Sequence, residues 1–399
     1  MKLRNILSLF DGISCGRLAL NRAGIEYENY YASEIDKYAI AITRYNFPNT
    51  IFVGDIRNLK GEDFEDIDFI MGGSPCQGFS LCGKRYGMST KTKIEVTTLE
   101  QYLELKQQKF EFEGQSYLFW EFVRLLKEIR PKWFLLENVK MQKKWEKVIT
   151  ETLEVEPVEI NSALVSAQNR KRLYWTNIPI KGLPEDKGIL LKDILESEVD
   201  EKYYIKKPFK YLPDKLDFII DPYNRRNITD GKATTLRTNF SNGNCWVNES
   251  LRCRQVAELA IKGQDCIKRI YSSEGKSPTL TTMQGGYRQP KIIEEKYITD
   301  RNKSLCIDAN YYKGGNLKQY FEKHRRQLVF EKDRSKVKIR RLTPLECERL
   351  QTLPDNYTKY GIFENGRIKQ ISDTQRYKTI GNAWTVDVIA WIFSFLKLQ

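Results

Sequence analysis

The chain has 399 residues, of which 41% are hydrophobic, and carries a formal net charge of +14. That length excludes a peptide-sized scaffold and allows one or two domains, while the positive balance makes nucleic acid a better expected partner than an acidic protein or a membrane surface. Eight cysteines without a C-x-x-C pair and the single histidine, His324, speak against a zinc site and against a disulfide framework, so no metal and a reducing cytosol are expected.

In chain order, the apolar start breaks at Asp11-Gly12, too early for a signal peptide, and no stretch reads as membrane-spanning. Asn5 to Phe10, Tyr30 to Ser33, Ile51 to Val53, Ile67 to Met71 and Trp133 to Leu136 read as strands. Between them, Gly16 to Ala23, Lys37 to Tyr45 and Leu118 to Ile129 carry apolar residues at helical spacing. Two further strands are expected at Val158 to Ala163 and Arg172 to Thr176. Strands alternating with helices predict an α/β fold, a doubly wound Rossmann-like domain over residues 1–185.

Residues 190–338 change style, being rich in Tyr, Asn, Lys, Arg and Gly, with short alternating segments and one expected helix at Arg254 to Lys262. They read as a second, smaller domain, mostly irregular or β. Gly231 to Thr238 is echoed by Gly275 to Thr282, either as paired ligand-facing loops or as a duplicated hairpin. Lys336, Lys338 and Arg340 alternate, predicting one basic face of a strand. Helical patterns return at Thr343 to Thr352 and Trp384 to Leu396. The second of these needs burial, so residues 340–399 are expected to fold back and complete the first domain.

The residues with chemical potential fall at strand ends. The first strand runs into Phe10-Asp11-Gly12, but G-x-G-x-x-G is absent, which disfavours a pyrophosphate and suits S-adenosylmethionine, whose amino-acid part needs only close backbone approach. Glu34, after the second strand, is placed for ribose hydroxyls. Asp55, after the third, is placed for the adenine amino group, with Ile35 and Ile56 flanking the ring. Each alone reads as a turn or a helix cap; their succession is more specific.

After the fourth strand comes Gly72-Gly73-Ser74-Pro75-Cys76-Gln77, a thiol on a Gly/Pro-shaped loop where packing is a poor purpose for it. Glu137 ends the next strand, and Arg170 and Arg172 lead into the last, on one face by alternation. A cysteine, a carboxyl group and arginines beside a methyl donor fit attack on carbon 6 of cytosine. The carboxyl group meets N3, an arginine stabilises O2, and carbon 5 takes the methyl group. In a duplex this requires the nucleotide to be flipped out, and the loop through Gln77, Ser80, Lys84, Arg85 and Tyr86 is expected to close over it.

These motifs, with Tyr117-Leu118-Phe119-Trp120, Gln168 to Arg172, Arg341-Leu342-Thr343-Pro344 and Gly381-Asn382-Ala383, resemble the DNA cytosine-5 methyltransferase family in order and spacing, in the style of phage and bacterial enzymes that look like the animal de novo type. The resemblance implies Cys76 as nucleophile, Glu137 as N3 partner and Arg170 with Arg172 at the base. It implies a cofactor pocket lined by Phe10, Glu34, Asp55, Pro75, Leu118 and Asn382, with Trp384 nearby. It makes the middle domain a target-recognition domain for double-stranded DNA, with Arg237, Asn239, Gln284, Arg288 and Lys313 as candidate base readers and Lys338 as a phosphate contact. A tRNA methyltransferase and a silent DNA-binding regulator of the same fold are the rival readings. A monomer, with a cognate restriction endonuclease as a candidate partner, is expected. Residues 87–115 are longer than this pattern usually has.

Overall fold

The computed structural model describes residues 2–75, 87–204, 209–211, 219–221, 226–228, 253, 255–273, 275–280, 289–294 and 338–398. Two compact units emerge. The first comprises Met1–Ile189, Ser277–Gly285 and Pro344–Gln399, and the second Leu190–Lys276 with Gly286–Thr343.

The first unit is built on β1 (Lys2–Leu9), β2 (Glu26–Ser33), β3 (Ile51–Phe52), β4 (Ile67–Gly73), β5 (Trp133–Val139), β6 (Val158–Asn161) and β7 (Lys171–Thr176). They form one sheet in the order β3-β2-β1-β4-β5-β7-β6. Strands β3, β2, β1, β4 and β5 run parallel. Helices α1 (Cys15–Ala23), α2 (Lys37–Asn46) and α4 (Phe119–Ile129) stand where helical spacing places them. Strand β5 is buried at six of its seven positions, the near-continuous apolar run of a strand covered on both faces.

Alternation of strand and helix predicts parallel pairing throughout, and β7 departs from it by lying antiparallel between β5 and β6. The link from β6 to β7 holds only a short helical turn, Ser162–Leu164, instead of a crossover helix. A parallel return needs about a dozen residues or more, so this short link reverses direction.

Two helices of the first half escaped the sequence reading, as did Asp265–Lys268 and Asp373–Asn382 further on. Helix α3 (Leu99–Gln107) lies in the long 87–115 segment and buries Leu99, Tyr102 and Leu105; Thr98 caps it by accepting from the Gln101 amide. Thr98 followed three residues on by Gln101 is a capping-box pattern, a signal that was present. Helix α5 (Lys143–Leu153) buries Trp145, Ile149 and Leu153 at helical spacing.

The C-terminal run does fold back. Helices α7 (Pro344–Leu350), α8 (Asp373–Asn382) and α9 (Val386–Ser394) belong to the first unit. Phe393 of α9 meets Phe69 of β4 edge-on at 5.2 Å, and Asp387 pairs with Arg22 of α1 at 2.6 Å. The stretch Asp373–Lys397 is, by length and composition, apolar enough to cross a membrane, which corrects the expectation that no stretch is; 61% of its most apolar window is buried inside the protein.

In the second unit, β8 (Phe209–Tyr211), β11 (Gln255–Leu259), β12 (Arg269–Tyr271), β13 (Lys291–Glu294) and β14 (Lys338–Arg341) form a sheet in the order β14-β13-β12-β11-β8. A separate pair, β9 (Ile219–Asp221) and β10 (Arg226–Ile228), the short helix α6 (Asp265–Lys268) and the helical turns Leu191–Ile194 and Glu201–Tyr203 belong to it as well. The helix expected over Arg254 to Lys262 is β11. Its apolar residues suit either period, and pairing with β12 and β8 selects the strand, with Ala257 and Leu259 buried alternately. The expected basic face also needs correcting: Arg340 is fully buried, so it offers no charge to a phosphate. Lys276 and Lys291 are buried as well, and burial pushes the Lys291 amine down to about 8.

Candidate active site

The strand order reverses between β1 and β4, so the loops leaving their carboxyl ends diverge and open a crevice at the ligand-binding edge of the sheet. The loop after β1 takes three left-handed residues in five, Phe10, Gly12 and Ser14, with φ of 56°, 59° and 57°. It is held from inside. Asp11 accepts from the Tyr30 hydroxyl at 2.6 Å and from Ser14, and its amide donates to the Ser33 carbonyl at 3.1 Å. Burial raises the Asp11 carboxyl above the ordinary aspartate range, against the lowering effect of those donors.

Glu34 follows β2 and is fixed by backbone alone. Its Oε2 accepts from the Gly12 amide at 2.8 Å, and its Oε1 from the amides of Ile35 and Asp36 at 2.7 and 2.8 Å. Burial raises its carboxyl despite these three donors. Beside it Ile35 is 64% exposed, an apolar surface left uncovered at the crevice edge. A methyl group built on Gly12 meets nothing within 4 Å. Open space, a fixed acceptor and a bare apolar side chain together fit the ribose and adenine of S-adenosylmethionine.

The other expected cofactor residues are placed differently. Asp55 caps a short turn, and both its oxygens take the Arg57 guanidinium, which holds its carboxyl below the usual range. Ile56 is buried in the core beneath it, while Phe10 and Leu118 are partly buried against that same core. Pro75 is partly buried, and Asn382 is exposed at the end of α8.

Pro75 is also the last described residue before the expected nucleophile. Cys76, with Gln77, Ser80, Lys84 and Arg85, lies outside the described residues, as do Arg237, Asn239, Gln284, Arg288 and Lys313. So does Gly231 to Thr238, the first copy of the internal echo. Of Lys338 only the backbone is described, paired with Glu294. The stem leading to Cys76 is anchored: Asn138 donates to the Ser74 carbonyl and hydroxyl at 3.2 and 3.0 Å.

Glu137 sits opposite Gly73 in β4 and Tyr174 in β7. It is buried, and its two oxygens point to different donors. Arg172 Nε lies 2.9 Å from Oε1, and the Trp384 indole N–H donates to Oε2 at 3.1 Å. Glycine at 73 leaves room for both, because a Cβ would lie 2.9 Å from Trp384 Nε1 and 3.0 Å from Glu137 Oε2 and displace them.

The alternation that put Arg170 and Arg172 on one face does not survive. Arg170 precedes the first residue of β7, and its buried guanidinium donates to the carbonyls of Leu280, Gly381 and Ala383 at 3.0, 3.4 and 3.1 Å. Arg172 alone turns to Glu137. Sequence reasoning missed the side chains that support this arrangement. Gln351 donates to the Ile380 and Ala383 carbonyls, Thr385 donates to Gln351, and the Ser162 and Thr385 hydroxyls pair at 2.8 Å. Spacing gave no signal for them, since the partners are far apart in the chain.

Comparison with known proteins identifies the family. The family model described as C-5 cytosine-specific DNA methylase matches residues 4–397. The chain is 32% identical to the orphan methyltransferase M.SPBetaI of Bacillus phage SPbeta, covering 99% of this chain and 97% of that protein. It is 27% identical to the type II methyltransferase M.Bsp6I of Bacillus sp. (strain RFL6), covering 96% and 95%. Among solved structures, the Entamoeba histolytica methyltransferase EhMeth superposes with a TM-score of 0.57 at 14% identity over the whole of both chains. A Spodoptera frugiperda DNMT2 variant gives 0.54 at 17% identity over 99% of each.

Proposed function

From the premise that this chain belongs to the C-5 cytosine-specific DNA methylase family, and is a DNA cytosine-5 methyltransferase, we propose how its residues divide the reaction. The observation that carries the proposal is a single carboxyl group, Glu137, held by Arg172 and Trp384 at the sheet edge from which the Cys76 loop departs.

Cys76, as a thiolate, adds to carbon 6 of a cytosine turned out of the duplex and breaks the ring's conjugation. Electron density moves toward N3 and O2. Glu137 holds a proton at N3, and Arg172 meets the charge at O2. S-adenosylmethionine, when bound, supplies an electrophilic methyl group, with Glu34 on its ribose, Ile35 against its adenine and the Phe10 to Gly12 loop along its amino-acid part. Carbon 5 would form the new bond to that methyl group as the methyl–sulfonium bond breaks, its electron pair staying on sulfur and S-adenosylhomocysteine leaving. Loss of the carbon 5 proton then expels the Cys76 sulfur and restores the aromatic ring.

The second unit would supply target recognition, and the orphan and type II names of the relatives favour sequence-specific modification in a bacterial or phage-infected cytosol. Arg170 belongs in this reading as a clamp that ties the Leu280 segment and the α8–α9 link to the catalytic edge.

DNA containing 5-fluorocytosine tests the scheme, because the fluorine cannot leave as a proton and the adduct is trapped. Wild-type enzyme should form a covalent complex and Cys76→Ser should not. Adduct formation in both, or methylation confined to tRNA, would overturn it.

A further inference from the structure

A carboxyl group joined to its chain by rotatable bonds is poorly aimed by one hydrogen bond, because its terminal torsion is broad and nearly two-fold. Arg172 meets Glu137 as an ion pair, Nε to Oε1 at 2.9 Å, which supplies charge without a hydrogen bond's direction. The second oxygen is met from a residue 247 positions further along the chain, by an indole whose nitrogen can only donate. An ion pair at one oxygen and a directed hydrogen bond at the other hold the plane of the carboxyl group.

The indole itself is firmly presented. Trp384 stands in the short link between α8 and α9, and the residues on either side are tied down. The Ala383 carbonyl accepts from Arg170 and from Gln351, Thr385 bonds to Gln351 and Ser162, and the Val386 amide donates to the Gln351 carbonyl at 3.0 Å. The ring lies across two glycines. A Cβ at Gly73 would press on Nε1, and one at Gly16 would come within 3.3 Å of the far edge of the ring. The contacts described for the ring therefore lead to the catalytic carboxyl group and its glycine neighbours.

We propose that Trp384 is a positioning residue for Glu137, fixing the carboxyl orientation that meets N3 of the extruded cytosine. The inference deepens the scheme above and rests on its assignment of Glu137.

Trp384→Phe keeps an aromatic ring and removes the donor. In single-turnover methylation of duplex DNA the rate should fall about tenfold, the effect of losing one hydrogen bond to a charged group. Calorimetric titration with S-adenosylhomocysteine should give a Kd within about twofold of wild type, and its stoichiometry reports the folded fraction of the same preparation. Combined with Glu137→Gln, the change should cost nothing further, because the acid whose orientation the indole fixes is already gone. A wild-type rate for Trp384→Phe overturns the proposal, as does a double variant in which the two losses multiply, or a Kd that rises as far as the rate falls. Full activity of Glu137→Gln alone would instead overturn the assignment of Glu137, a result distinct from any of these.

Discussion

Glu34, just after β2, and Glu137, near the end of β5, stand on either side of β1 and β4 in one sheet, yet they are held by opposite means. Glu34 is fixed by three amides, two from the residues that follow it and one from a loop 22 positions earlier. Glu137 is fixed by two side chains, one from β7 and one from the far end of the chain. Backbone donors hold an acceptor whatever side chains surround them, which suits the cofactor-binding role proposed for Glu34. Side-chain partners can be aimed and charged, which suits the role proposed for Glu137 at the base. In the proposed scheme the difference separates binding from chemistry.

The sharpest test of that separation is Glu137→Gln. Methyl transfer should slow by about 10²- to 10⁴-fold, the usual weight of a general acid, while S-adenosylhomocysteine affinity holds; equal losses in both would merge the two roles. Gly73→Ala attacks the same carboxyl group without touching it. Its methyl group pushes on Trp384 Nε1 and Glu137 Oε2, and displacement of the reacting groups should lower the single-turnover rate roughly 10- to 100-fold with the cofactor Kd unchanged.

On the other side, Glu34→Ala should raise the Kd for S-adenosylhomocysteine by about 10- to 100-fold, the scale of hydrogen bonds to a charged group, and leave the rate at saturating cofactor near wild type. A fall in the saturated rate with an unchanged Kd would reverse the comparison. Arg57→Ala should do least. The Asp55 pair is half exposed on the arginine side, so the melting temperature at neutral pH should drop by about 2 °C or less. Because Arg57 holds the Asp55 carboxyl below its ordinary value, the pair contributes above that value and the contribution is lost as pH falls through the lowered one. Melting curves of the two proteins should therefore converge in acid.

How far the site was legible follows the same division. Glu34 was found just past its strand and Glu137 near the end of a strand that runs two residues further than the apolar run, because a strand run and the polar residues that follow it are contiguous in sequence. Arg172 was found by alternation, and the same rule misplaced Arg170, since nothing local marks where β7 starts. Arg340 read as surface charge because alternation names a face and cannot say which face is buried. Helix α3 carried a capping signal and went unread inside a segment that matched no expected element.

What the sequence by itself determined is the alternation of strands and helices, the polar residues that close each strand, and the need of an apolar C-terminal run for cover. These depend on neighbours a few residues apart, where backbone geometry sets the period. Only the tertiary structure decided that β7 runs antiparallel, that residues 255–259 form a strand, and that Trp384 meets Glu137. Those outcomes depend on which distant segments compete for the same edge or the same carboxyl group, and that competition is settled by packing across the whole domain rather than by any local pattern.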